Sequence, residues 1–277
     1  MERKILITDC DDTQGILAGV TGVCYQHKLN IVKNSEFVDN QQGRFFMRTE
    51  LEGVFDTDRL LADLDKVLPK NHHTKLTDTG VKRVVIMVTK EAHCLGDLLM
   101  KAYYGGLNVE IAAIVGNYDT LKPLADKFDI PFHYVSHENL TRSDHEHAMM
   151  KVISEYQPDY VVLAKYMRIL TPDFVEQYAN KIINIHHSFL PAFIGASPYK
   201  QAWERGVKII GATAHFVNNC LDEGPIIKQD VIHVDHSYSA EEMARCGRDV
   251  EKSVLSKALQ LVLNEEVVVY GNKTVVF

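Results

Sequence analysis

The sequence predicts an α/β protein in two parts: a ferredoxin-like α+β domain over residues 1–81, then a Rossmann-like domain over residues 82–277 with a mostly parallel sheet. Three observations lead there. Near residue 81 the element order changes, from strand-helix-strand-strand-helix-strand to strict alternation of strand and helix. Beyond that point the strand candidates are near-continuous apolar runs such as RVVIMV and YVVLA, the pattern of strands covered on both faces. The chain of 277 residues, 46% hydrophobic and 24% charged, is long enough for two cores.

The elements of the first part follow in order. KILITD (residues 4–9) reads as a strand and GILAGVTGVCYQH (15–27) as a helix with Ile16, Val20, Val23 and Cys24 on one face. LNIVKNSEFV (29–38) is a second strand, and DNQQG (39–43) is a hairpin turn. RFFMRTELEG (44–53) then alternates, with Phe45, Met47, Thr49 and Leu51 on one face and Arg48, Glu50 and Glu52 on the other. DTDRLLADLDKVL (56–68) is a helix, and HTKLT (73–77) a short strand.

In the second part the strands are RVVIMVT (83–89), VEIAAIVGN (109–117), PFHYVS (131–136), YVVLAKY (160–166) and KIINIH (181–186), with helical segments between them. Right-handed crossovers and a parallel sheet follow from that order. Thr171 before Pro172 gives a helix cap and a first-turn proline, and Ser239 with Glu242 has capping-box spacing before a long helix. IIGATAHFV (209–217) and IIKQDVIHV (226–234) are two strands joined by a loop, and VVVYGNKTVVF (267–277) closes the chain as a hairpin turning at Gly271 and Asn272. Trp203 and the VVVY run read as core.

Composition narrows the function. The net charge of −7 is spread along the chain, with no basic arm, so nucleic acid is not expected as a partner. No run of apolar residues is long enough to span a membrane and MERKILITDC lacks the apolar core of a signal peptide, so the expected location is the cytoplasm. Five scattered cysteines without a C-x-x-C pair suggest reduced thiols. The thirteen histidines include HH at 72–73, HEH at 145–147 and HVDH at 233–236, none at an established ligand spacing, so no metal and no cofactor are expected. No G-x-G-x-x-G follows the first strand of the sheet, which excludes the usual dinucleotide-binding fingerprint.

The chemistry concentrates at strand ends. In NIHHSFLP (184–191) an amide and an imidazole, Asn184 and His186, end an apolar strand and share one side of it. Ligands of such sheets bind beyond the carboxyl ends of the strands. KYMRIL (165–170) ends the preceding strand and supplies a fixed cation, Arg168, among apolar residues suited to a flat aromatic ligand, and the loop NNCLDEGPII (218–227) brings the carboxylate of Asp222 just before Gly224 and Pro225.

Met167, Arg168 and Leu170, then Asn184 and His186, then Asp222, Gly224 and Pro225, in that order, resemble the folate-dependent formyltransferase fold of phosphoribosylglycinamide formyltransferase and its relatives. The resemblance implies that Asn184, His186 and Asp222 are catalytic. It also implies that Met167, Arg168, Leu170, Gly195, Ala196, Asn219, Leu221, Gly224 and Pro225 bind folate.

Two departures bear on what attacks the formyl carbon. Where the transferase has a Gly-rich phosphate loop, this chain has VTKEAHCLGDLLMK (88–101) with Gly96 as its one glycine, a poor anion cradle. After the histidine it has His187 and Ser188 in place of proline. With the small N-terminal domain, these departures make the chain similar to the formyltetrahydrofolate deformylases, which use water as the acceptor. The resemblance implies hydrolysis of 10-formyltetrahydrofolate to tetrahydrofolate and formate, which supplies formate to purine biosynthesis and balances one-carbon pools. On it, EAHCLG (91–96) closes the acceptor pocket. The alternative is formyl transfer to a small amine such as glycinamide ribonucleotide.

Residues 1–81 resemble an ACT domain, a module that commonly self-associates and binds an amino acid beside its first loop. The implied effector contacts are Asp12, Gly15 and Ile16, the implied effector an amino acid such as glycine or methionine, and the implied assembly a homo-oligomer, dimer or tetramer. Asp11 stands where relatives often carry proline.

Overall fold

The structure is a computed structural model that describes residues 2–192 and 198–277. The chain divides into two compact units, one of residues 1–80 with 264–268 and 275–277, the other of residues 81–263 with 269–274.

In the first unit, β1 (Glu2–Asp11), α1 (Ile16–Gln26), β2 (Asn30–Asp39), β3 (Arg44–Gly53), α2 (Thr57–Val67) and β4 (His73–Asp78) follow the expected order. They form an antiparallel sheet of order β2-β3-β1-β4. The alternation in β3 puts Phe45, Met47 and Leu51 into one core with Leu6, Ile16, Val20, Leu60 and Leu64. The opposite face is not simply solvated. Phe46 and Arg48 are buried, and the Arg48 guanidinium donates to the carbonyl oxygens of Asn264 and Glu265 at 2.9 and 3.0 Å. Nε and one terminal nitrogen of the buried charge are thereby bonded, while Nη1 has no hydrogen-bond partner among the described residues.

The second unit carries β5 (Lys82–Val88), α3 (His93–Tyr103), β6 (Val109–Gly116), α4 (Lys122–Asp126), β7 (Phe132–Tyr134), α5 (Arg142–Glu155), β8 (Tyr160–Ala164), α6 (Pro172–Gln177), β9 (Ile182–His186), α7 (Pro198–Arg205), β10 (Ile209–Phe216), β11 (Ile226–His233) and α8 (Ala240–Leu263). Its seven-stranded sheet has the order β11-β10-β9-β8-β5-β6-β7. Strands β9, β8, β5, β6 and β7 are parallel, and β10 and β11 add an antiparallel edge. The chain order reverses on either side of β5, so the crevice between the carboxyl ends of β5 and β8 is where such a fold receives ligands.

The helix caps form as the sequence predicts. Thr171 accepts from the Phe174 amide, and Ser239 and Glu242 cap each other's backbone. The hairpin pairs β12 (Val267–Tyr270) with β13 (Lys273–Val276). Trp203 departs from expectation. On α7 the buried residues are Pro198 and Ala202, and Trp203, the next position round, is half exposed. The strand expected over 160–166 also ends early, at Ala164, because Lys165 takes a left-handed backbone conformation. No described helix is long and apolar enough to cross a membrane.

Candidate active site

Strand β9 runs between β8 and β10 and ends in Asn184-Ile185-His186. Pairing of β9 with β10 sets Asn184 opposite His215 and His186 opposite Thr213. The amide of Asn184 donates from Nδ2 to Nε2 of His215 at 3.2 Å, while Nδ1 of His215 donates to the Phe216 carbonyl oxygen at 2.9 Å. That second bond requires the proton on Nδ1, which leaves Nε2 as the acceptor that the amide needs. His215 is fully buried, and burial lowers its pKa against the opposing pull of the Phe216 carbonyl and the Asp222 charge. A neutral imidazole of one tautomer therefore holds the Asn184 amide, leaving its second N–H free to donate.

Asp222 comes from the loop after β10 and approaches His186, with Oδ1 at 3.3 Å from Nδ1. The same oxygen lies 3.9 Å from Nε2 of His215. Burial raises the Asp222 pKa, but the hydrogen bond from His186 outweighs that, so the group is an anion held below its ordinary range. Asp222 has a φ of +56°, and aspartate is among the residues that tolerate it. The loop reaches this position because Gly224 packs where a Cβ would lie 1.8 Å from the Phe216 carbonyl oxygen. The neighbouring Phe216 amide bonds the Pro225 carbonyl at 2.9 Å.

With Nδ1 of His186 facing the carboxylate, Nε2 points the other way. It is buried and has no hydrogen-bond partner among the described residues. A buried polar atom without a partner is costly, and an active site is where such an atom is expected.

A second cluster lies at the β5/β8 crevice. Glu251, in the middle of α8 and fully buried, accepts from His93 Nε2 at 2.7 Å and from the Tyr199 hydroxyl at 2.6 Å, and its Oε2 sits 3.1 Å from Lys165 Nζ. Burial alone would raise its pKa. The His93 hydrogen bond, the Lys165 charge and the Tyr199 hydrogen bond instead bring it down to about 2. Lys165 follows β8 with a φ of +62°, a conformation that costs a side-chain-bearing residue roughly 1 kcal/mol or more. His93, Cys94 and Glu251 are close enough to be considered as a cation site. Lys165 already supplies the positive charge there, and burial drives the Cys94 thiol far above its ordinary pKa, so the donor set does not suit a metal ion.

A cavity of about 320 Å³ lies on the Glu251 side, with Met167, His187, Lys165, Tyr199 and Glu251 among its walls. The His187 ring is 5.1 Å from that of His186, and burial, reinforced by the Lys165 charge, pushes its pKa down to about 4.

The sequence-predicted residues fall as follows. Asn184, His186 and Asp222 lie on adjoining elements, and Gly224 and Pro225 are buried beneath their loop while Asn219 and Leu221 are exposed on it. Met167 is exposed, its amide donating to Thr89 Oγ1 at 3.0 Å, Arg168 is half-buried, and Leu170 packs against the core. Gly195 and Ala196 lie outside the described residues. In the first unit, Asp12 and Gly15 are exposed and Ile16 is buried in the core. Sequence reasoning missed His215, Lys165, Glu251 and Tyr199. The alternation of IIGATAHFV could have found His215, since it places that ring on a strand beside β9; Glu251 carried no local signal.

Comparisons with known proteins agree with this architecture. Residues 82–259 match the model of the formyl transferase family, and residues 4–69 that of the ACT domain. The formyltetrahydrofolate deformylase of Escherichia coli (strain K12) is 66% identical over 276 residues, covering 100% of this chain and 99% of the relative; that of Bacillus subtilis (strain 168) is 45% identical over 282 residues, covering 100% and 94%. Among solved structures, a formyltetrahydrofolate deformylase from Pseudomonas syringae pv. tomato superposes with a TM-score of 0.95 at 41% identity, covering 100% of this chain and 95% of the other. Glycinamide ribonucleotide transformylase 1 from Symbiobacterium toebii gives 0.69 at 26% identity, covering 71% and 94%.

Proposed function

The chain belongs to the formyltetrahydrofolate deformylases, and from that premise we propose that Asn184, His186 and Asp222 carry the hydrolysis of 10-formyltetrahydrofolate to tetrahydrofolate and formate. The observation that supports this most is the orphaned Nε2 of His186 beside an Asn184 amide fixed by His215. Water adds to the formyl carbon, whose oxygen gains negative charge. The free N–H of Asn184 donates to that oxygen, and a donor of this kind contributes about 3 kcal/mol to a barrier. His186, its Nδ1–H directed at Asp222, takes a proton from water at Nε2 and returns it to the departing nitrogen. The C–O bond forms, the C–N bond breaks, and the folate nitrogen leaves protonated. Met167, Arg168, Leu170, Asn219, Leu221, Gly224 and Pro225 form the folate side of the site.

The ACT unit takes an amino acid such as glycine or methionine at the loop after β1, around Asp12 and Gly15, in a homo-oligomer that works in the cytoplasm without a cofactor. Asp11 does not oppose an effector carboxylate as a bare charge, because Arg44 and Asn71 bond it. Incubation with 10-formyltetrahydrofolate and no acceptor tests the catalytic reading. Stoichiometric formate and tetrahydrofolate are expected; turnover that depends on added glycinamide ribonucleotide would instead favour the transferase alternative.

A further inference from the structure

The β5/β8 crevice, where a doubly wound sheet receives ligands, is lined here by a buried ion pair of the protein itself. Lys165 stands at its centre. The backbone there, at φ +62°, is one that glycine adopts freely and a long side chain does not. A residue kept in that conformation against its preference points to a use for the side chain. The ammonium is almost wholly buried and bonded to Glu251, which reaches in from α8 and is held in turn by His93 and Tyr199. Both Lys165 and Glu251 wall the cavity that also touches Met167 and His187.

We propose that Lys165, anchored by Glu251, is the specificity-determining residue that restricts the formyl acceptor to water. The inference rests on the deformylase reading above and names the residues that set its acceptor. The side chain takes up the part of the cavity beside His187 that a primary amine would need, and its charge repels the protonated form in which most such amines approach. Water, smaller and uncharged, is not turned away by that charge. Removing the side chain opens that space without disturbing the backbone, because the conformation is glycine's own. An amine admitted there forms a new C–N bond to the formyl carbon, and the folate nitrogen leaves with the amine's proton.

The experiment compares the wild type with Lys165→Gly combined with Glu251→Gln, the second change preventing an unpaired buried carboxylate. Each is incubated with 10-formyltetrahydrofolate and rising glycinamide, and formate and formylglycinamide are measured separately. The wild type is expected to yield formate alone at every amine concentration. The double variant is expected to form formylglycinamide at least tenfold above the wild-type background, with the KM for the folate unchanged. Formate as the sole product of a folded double variant overturns the proposal. Should the double variant not fold, Lys165→Ala is read by the same partition with the same two outcomes. A wild type that releases no formate defeats the deformylase reading itself, whereas a wild type that does, beside a variant that refuses the amine, defeats this inference alone.

Discussion

Two carboxylates of the catalytic unit, Asp222 and Glu251, each face a histidine, and they differ in how completely their surroundings are satisfied. Glu251 is enclosed in α8 with donors on both oxygens, His93 and Lys165 on one and Tyr199 on the other. Asp222 sits on a loop with His186 as its nearest partner, and the far nitrogen of that histidine faces no protein group among the described residues. A saturated cluster fixes shape, because every donor must be given up before any part of it moves. An open valence beside an anion is where a substrate completes the bonding. In the mechanism proposed above, the first is a wall and the second the reacting centre.

The largest expected effect breaks the open side. His186→Ala removes the proton carrier and Asp222→Asn removes the anion that orients it, so each should lower formate release about 100-fold or more. Both variants should still unfold in one cooperative thermal transition, since neither substitution adds bulk or charge to the buried site. Steady-state rates near those of the wild type for either variant would leave the orphaned nitrogen without a role.

How much of this contrast could be read from sequence follows from how local each cluster is. Asn184 and His186 are two residues apart on one strand, and polar groups that interrupt an apolar run stand out by period alone. Asp222 was legible through its place before Gly224, a glycine that the close approach of the Phe216 carbonyl requires. Both domains were legible for the same reason: strand and helix periods are properties of short segments. Glu251 was not. In AEEMARCGRDVEKSVL it is one of several charges in a helix that carries charged residues on most turns, and only packing of α8 against α3 and the sheet turns it inward to Lys165 and His93. Lys165 was hidden in another way, since a lysine at a strand end reads as a surface charge until its backbone conformation is known.

A smaller effect sharpens the open side from within. Asn184→Ala should lower kcat by about 100-fold with little change in folate binding, because its free N–H acts on charge that exists only in the transition state. His215 touches no reacting atom in this scheme and works through that amide. His215→Phe should cost less, about tenfold in kcat, again at unchanged KM. Adding the His215 change to Asn184→Ala should then cost almost nothing further. Full additivity of the two, read from a double-mutant cycle of kcat/KM, would show that His215 acts independently of the amide.

The smallest effect concerns the saturated side, and its readout is stability as a function of pH. The Glu251 pKa falls from its ordinary 4.5 to about 2 in the folded chain. A folded-state value below the unfolded one means that the group stabilises the fold above about pH 4.5 and that this contribution is lost as pH drops towards 2. The shift corresponds to roughly 3 kcal/mol at neutral pH. Glu251→Gln keeps the size and hydrogen-bonding outline of the side chain but cannot titrate. Its melting temperature should therefore lie below that of the wild type at pH 7, and the gap should narrow steadily between pH 5 and pH 3. Asp222 is shifted in the same direction, so Asp222→Asn should flatten the same limb, by less because its carboxylate is partly exposed. Wild-type and Glu251→Gln curves that run parallel through this window would mean that the Lys165 pair is not formed by an ionised carboxylate, and the distinction between a charged wall and an open centre would fail on its better-buried side.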